Sequence, residues 1–288
     1  MTKSKSLNLE IFETSDGAKL LLEDFGGHGD SLLFVHATGF CARMHLSIAK
    51  LLRERFHCYG LNTRFHGGST GGATADYRWD TLGADIIEVV SSLPSKSWHG
   101  FGHSYGGAGL LLAEESKPET FAALFLYEPV VIIEDRSPLP NYNSPLSVLT
   151  RQRRQSFATR LEAATNFSSK KPMNGFDALT FDLYLETGLT RGYDSQVHLS
   201  CPSEIESEIY AYAYCHNAYG NLNQIKARTL FVAGEMTTDF NIEYMEQLAS
   251  KCPDGKTQIA TGLSHFGPFE NPRAIASMME QFFSPSGA

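Results

Sequence analysis

Over the first 128 residues, short apolar runs alternate with longer stretches of helical period. That alternation predicts an α/β fold, a mostly parallel sheet flanked by helices. Leu7 to Phe12 and Ala18 to Phe25 flank Asp16-Gly17 and read as an antiparallel hairpin. Strands are then predicted at Leu32 to Val35, Phe56 to Leu61, Trp98 to Gly102 and Ala122 to Tyr127. Helices are predicted at Arg43 to Arg53, Tyr77 to Leu93 and Tyr105 to Glu115. After Glu128-Pro129 the alternation stops. From Glu134 to Asn223 the chain is helical, polar and rich in tyrosine, entered through Pro138, Pro140 and Pro145, so a helical cap insertion (134–223) is expected within a core formed by 1–133 and 224–288. The pattern resumes with a strand at Thr229 to Ala233, a helix at Phe240 to Lys251, a strand at Thr257 to Ala260 and a helix at Pro272 to Phe283.

Composition narrows the picture. Of 288 residues, 42% are hydrophobic and 19% charged, which suits a chain that buries a large core. A net charge of -8 argues against a surface that neutralises phosphates, so nucleic acid is not an expected partner. Cys41, Cys58, Cys201, Cys215 and Cys252 are scattered and form neither a disulfide framework nor a metal-ligand spacing. No metal and no cofactor is expected. Met1 to Glu10 lacks a signal-peptide core, no run approaches the length of a membrane span, and Ser-Pro-Ser-Gly-Ala at the end matches no retention or lipid signal. The expectation is a cytoplasmic protein with a small-molecule substrate and no membrane partner, a homodimer being compatible. The sequon at Asn166 means little in such a chain.

The chemistry concentrates in Gly102-His103-Ser104-Tyr105-Gly106-Gly107, a G-x-S-x-G sequence between an apolar strand and a helix that opens with small residues. A sharp strand-to-helix turn there holds Ser104 in a strained conformation and presents its hydroxyl alone, while the flanking glycines remove side chains that would collide with neighbours. A phosphate-binding loop also joins strand to helix, but the segment lacks the lysine of that motif. A nucleophilic serine needs a base. His265 lies in Gly262-Leu-Ser-His265-Phe-Gly-Pro, just past the last predicted strand, whereas His198 and His216 fall in the insertion.

The chain resembles the α/β-hydrolase family over nearly its whole length outside the insertion. Four segments carry the likeness: Gly102 to Gly106, the loop Val35-His36-Ala37-Thr38-Gly39-Phe40, the turn Asn62-Thr-Arg64-Phe-His66-Gly67-Gly68-Ser69, and the loop around His265. The second is similar to the family's His-Gly-x-x oxyanion loop and the third to its Asp-x-Arg-Gly-x-Gly-x-Ser turn. Two departures stand out: Ala37 replaces a glycine and Asn62 an aspartate. The resemblance implies an oxyanion hole from the backbone N–H groups of Thr38 and Tyr105. The side chain of His36 is read as structural.

Two carboxylates compete to orient His265. Many family members carry the acid after the strand that follows the insertion, where Thr237 stands here; Asp239 arrives two residues late and reads equally as the cap of the next helix. Glu128 ends the apolar run Leu124 to Tyr127, a position some relatives such as haloalkane dehalogenases use, and it is slightly favoured. Within the insertion, Arg151, Arg153 and Arg154 read as a solvated face or as a holder of an anionic group. Tyr210, Tyr212, Tyr214 and Tyr219 line a pocket or pack the cap.

These residues predict a serine hydrolase that cleaves a carboxylic ester, thioester or lactone through an acyl-enzyme. Hydrolysis of a carbon–carbon bond in a diketone-like substrate uses the same groups. A non-catalytic small-molecule receptor on the same fold is the alternative from another class.

Overall fold

The computed structural model describes residues 8–95, 97–133 and 137–284. Leu7, the boundary at Glu134 and the final Ser-Pro-Ser-Gly-Ala segment beyond Ser284 lie outside them. Strands β1 (Asn8–Glu13) and β2 (Lys19–Gly27) form the expected hairpin. They are followed by β3 (Asp30–Val35), α1 (Leu46–Leu52), β4 (Phe56–Leu61), α2 (Trp79–Ser92), β5 (Trp98–His103), α3 (Tyr105–Ser116) and β6 (Ala123–Tyr127).

The insertion contributes α4 (Pro145–Arg151), β7 (Ser156–Phe157), α5 (Arg160–Ser168), α6 (Ala178–Thr187), β8 (Leu189–Arg191), β9 (Val197–Leu199), α7 (Ser203–Ala211) and α8 (Ala218–Asn221). It is therefore not purely helical: β7, β9 and β8 pair antiparallel in a small sheet of their own. Strands of two or three residues are too short to imprint an alternating pattern, which is why the sequence reads as helical there. The core resumes with β10 (Arg228–Gly234), α9 (Ile242–Lys251), β11 (Gly255–Ala260), α10 (Gly267–Glu270) and α11 (Pro272–Phe283).

The main sheet has eight strands in the order β1-β2-β4-β3-β5-β6-β10-β11, parallel from β4 to β11. Alternation along β6 assigns its side chains to two faces. Leu124 and Leu126 join the cluster containing Ile86 of α2, Leu111 of α3 and Leu248 of α9, while Phe125 and Tyr127 join that of Ile48 of α1 and Met279 of α11. Helices thus cover both faces, and the loops leaving β3, β5, β6, β10 and β11 converge at the carboxyl edge of the sheet, where open α/β folds place their ligand sites.

Candidate active site

Ser104 joins β5 to α3 with φ 55° and ψ -115°, a conformation that costs a non-glycine residue about 1–3 kcal/mol. Its own peptide groups hold it there. The N–H donates to Tyr127 O at 3.0 Å, and the carbonyl accepts from Gly107 N at 3.0 Å, Ala108 N at 3.2 Å and Val130 N at 3.3 Å. The turn closes because a Cβ on Gly102 would lie 2.5 Å from Gly107 Cα, and one on Gly106 2.2 Å from Val35 O. Tyr105 is the first residue of α3, so its N–H has no intrahelical acceptor.

His265 is fixed from several sides. Glu128, fully buried at the end of β6, accepts a hydrogen bond from His265 Nδ1 at 2.5 Å through Oε2 and one from Gly234 N at 2.6 Å through Oε1. A carboxylate partner places the proton on Nδ1 and leaves Nε2 as a lone-pair acceptor. Around the ring, His103 donates from Nε2 to His265 O at 2.7 Å, Tyr127 Oη donates to Ser264 O at 2.7 Å, and the Glu270 carboxylate accepts from Ser264 N at 2.9 Å and from Ser264 Oγ at 2.5 Å. The rings of His103 and Phe240 lie 5.2 and 5.5 Å from that of His265.

Asp239 is not brought into this arrangement; it is exposed in the turn after β10. Nor does it cap the next helix. Asn241 does, accepting from Tyr244 N at 3.0 Å, so α9 starts at Ile242 rather than Phe240.

Thr38 is buried in the loop after β3, beside Gly39 at φ 79°. Two neutral imidazoles brace this loop. His36 donates from Nδ1 to Ala37 O at 2.8 Å and accepts from Thr63 N at 3.1 Å; His66 donates from Nδ1 to Arg64 O at 2.8 Å and accepts from Gly39 N at 2.9 Å. Burial pushes both away from the charged form, His36 well below the usual histidine range and His66 down to about 4. The structural reading of the His36 side chain fits these contacts. His66 was not singled out from sequence, although it shares a short turn with Asn62 and Arg64. In the same turn Phe65 adopts φ 65°, where the family pattern has glycine, a third departure that sequence inspection passed over.

Arg151, Arg153 and Arg154 each have a carboxylate partner. Arg151 faces Glu208 at 3.7 Å, Arg154 pairs with Glu162 at 2.5 Å, and Arg153 pairs with Glu206, which is buried. Tyr212, Tyr214 and Tyr219 pack against the core cluster that includes α2 and α3, while Tyr210 lies beside the Arg153–Glu206 pair.

A family profile described as the alpha/beta hydrolase fold matches residues 30–272. The chain belongs to that family. Solved α/β hydrolases of similar fold include E-2-(acetamidomethylene)succinate hydrolase, with a TM-score of 0.77 and 17% identity over 96% of this chain and 99% of that one. The thioesterase domain of the curacin biosynthetic pathway gives 0.77 and 17% over 96% and 100%. N-formylmaleamic acid deformylase of Pseudomonas putida S16 gives 0.76 and 18% over 95% and 100%. At such identities the likeness is one of fold. In sequence, N-formylmaleamate deformylase of Pseudomonas putida KT2440 is 30% identical over 117 residues, a match spanning 41% of this chain and 44% of that protein. Among the described residues of this hydrolase-fold chain, no helix is long and apolar enough to cross a membrane.

Proposed function

We propose that the protein hydrolyses an acyl bond through an acyl-enzyme, with Ser104 as nucleophile, His265 as general base and Glu128, not Asp239, as the orienting acid. The observations that carry this reading are the bond of Glu128 to His265 Nδ1 and the strained backbone of Ser104.

His265 Nε2 takes the Ser104 proton as Oγ adds to the substrate carbonyl. The oxygen that becomes negative sits against the N–H groups of Thr38 and Tyr105, donors of a kind that contribute about 10²- to 10³-fold in rate each. The imidazolium then protonates the leaving oxygen, nitrogen or sulfur. Water, deprotonated by the same imidazole, attacks the acyl-enzyme and releases a carboxylic acid and free Ser104. Glu128 keeps the imidazole in the right tautomer and favours its cationic form without accepting the proton.

Esters, thioesters and lactones fit this machinery. Amides fit it as well, and the deformylase and the acetamidomethylene-succinate hydrolase among the relatives favour an amide substrate as a second reading.

The test is hydrolysis of a p-nitrophenyl ester series of increasing acyl length together with N-formyl amides, comparing wild type with Ser104→Ala, Glu128→Gln and Asp239→Asn. Turnover that vanishes in Ser104→Ala and falls steeply only in Glu128→Gln supports the reading. A wild type inert on esters and amides overturns it, and cleavage of a vinylogous diketone in that case moves the assignment to carbon–carbon hydrolysis.

A further inference from the structure

The cap brings a buried ion pair to the loop that carries Thr38. Glu206, on α7, turns one oxygen toward Gly39, so close that a Cβ there would lie 2.4 Å from Oε1. Its other oxygen accepts from Arg153 Nη1. The carboxylate thus sits between the Arg153 guanidinium and the loop that carries Thr38. Arginine carries five side-chain N–H donors, more than the contacts of Arg153 with Glu206 and Tyr184 use.

Three further observations bear on what this place can bind. Arg153 is enclosed by Tyr184, Tyr210 and Glu206, yet 30% of its side chain meets solvent. Tyr210 is likewise surrounded by protein and remains partly accessible. The hydroxyl of Thr38, 3% exposed, has no hydrogen-bond partner. A polar lining with unspent donors, next to the candidate oxyanion loop, suits a ligand with acceptor oxygens.

We infer that Arg153 is the receptor for a carboxylate on the substrate, placed a few bonds from the carbonyl that Ser104 attacks. This rests on the acyl-hydrolase reading for its biological meaning. The class follows from charge and shape. The planar fork matches a carboxylate with two parallel bonds. Because Glu206 already balances the arginine, a bound carboxylate leaves one net negative charge and a phosphate dianion two, so the monoanion is the better fit for the fork's remaining donors. Glu206 sets the direction of the fork, so it is a positioning residue.

Two measurements test the inference and separate its failure from that of the hydrolase reading. In the first, Ser104→Ala protein is titrated calorimetrically with succinate and with its neutral counterpart succinamide. Saturable binding of succinate alone is expected, weakened at least about 30-fold in Ser104→Ala/Arg153→Met, the loss that follows from removing charge-assisted hydrogen bonds. Arg153→Lys keeps the charge but not the fork and is expected to fall between, and equal melting temperatures for the variants exclude misfolding. In the second, kcat/KM for the p-nitrophenyl hemisuccinate is divided by that for the butyrate ester. The ratio is expected to exceed one in wild type and to fall at least about 30-fold in Arg153→Met, chiefly through KM.

Absence of succinate binding, or binding that Arg153→Met leaves intact, overturns the inference. An ester ratio that the variant does not move overturns it equally. If succinate binds through Arg153 while neither ester is cleaved, the hydrolase reading falls and the carboxylate receptor stands.

Discussion

The carboxylate of Glu128 lies 2.5 Å from Nδ1 of His265, although 137 positions separate the two residues in the chain. Glu128 holds this position at φ 42°, with its N–H on Val232 O at 2.9 Å and its second oxygen on Gly234 N. Glu128→Gln keeps the shape but presents an amide that can turn its NH₂ toward the imidazole and so favour the wrong tautomer. A loss of about 10³- to 10⁴-fold in kcat is expected, with little change in KM. Asp239→Asn, at an exposed turn position, is expected to stay within about 2-fold. Steady-state kinetics on one ester decide between the two carboxylates, and a collapse in Asp239→Asn reverses the assignment.

Restoring the family's aspartate at Asn62 is expected to harm this protein. The buried Asn62 amide accepts from Ala42 N at 3.0 Å and donates to Glu23 Oε1 at 3.0 Å and to Leu21 O at 3.3 Å. Glu23 is itself buried and paired with Arg43. In Asn62→Asp a carboxylate would face the Glu23 carboxylate and Leu21 O without a donor, costing about 2–4 kcal/mol. Urea denaturation measures this. Partial recovery in Asn62→Asp/Glu23→Gln is expected, because the glutamine supplies the missing donor.

Strain at Ser104 makes activity and stability pull in opposite directions. At φ 55°, ψ -115°, glycine is at ease and alanine is not. On the proposed mechanism, both Ser104→Gly and Ser104→Ala are expected to abolish turnover. Ser104→Gly is nevertheless expected to melt about 2–4 °C above Ser104→Ala, which corresponds to about 1 kcal/mol. Equal melting temperatures in calorimetry would show that the turn is not strained.

Acid is expected to unfold the protein through its neutral histidines. Burial lowers His66 to about 4, His45 to about 3 and His216 to about 4. In the unfolded chain they titrate near 6.5, so below that pH the unfolded state takes up protons that the folded state refuses. Their contribution is complete above about 6.5 and is lost as pH falls toward 4. Arg64 holds the Asp16 carboxyl below its ordinary range, which removes stability in the same direction further down. Denaturation midpoints at pH 7.5, 5.5 and 4.5 are expected to decline in that order, less steeply in His66→Asn. A flat profile would contradict the assignment of neutral rings.

How much of this was legible in the chain depends on how local each cause is. The elbow at Ser104 is written in contiguous glycines, and α11 spans the predicted Pro272 to Phe283 because proline opens it and Asn271 caps it. The partner of His265 was not decidable from sequence, since only the fold brings β6 against β10 and so carries Glu128 to Gly234. Asn62 looked like a simple departure because its reason, Glu23, lies on another strand. Phe65 gave no sign of its left-handed backbone, a conformation bulky residues rarely take. Arg153 looked like one of three surface cations until α7 set Glu206 between it and Gly39.

The turn after β10 carries no carboxylate contact to His265, yet Phe240 keeps its ring against that of the histidine. Asp239, exposed and adjacent, is therefore a place to attach an environment-sensitive dye through a single introduced cysteine. Such a label rides on the neighbour of a residue whose ring lies against the imidazole. It turns the idle turn into an optical gauge of ligand binding near that ring.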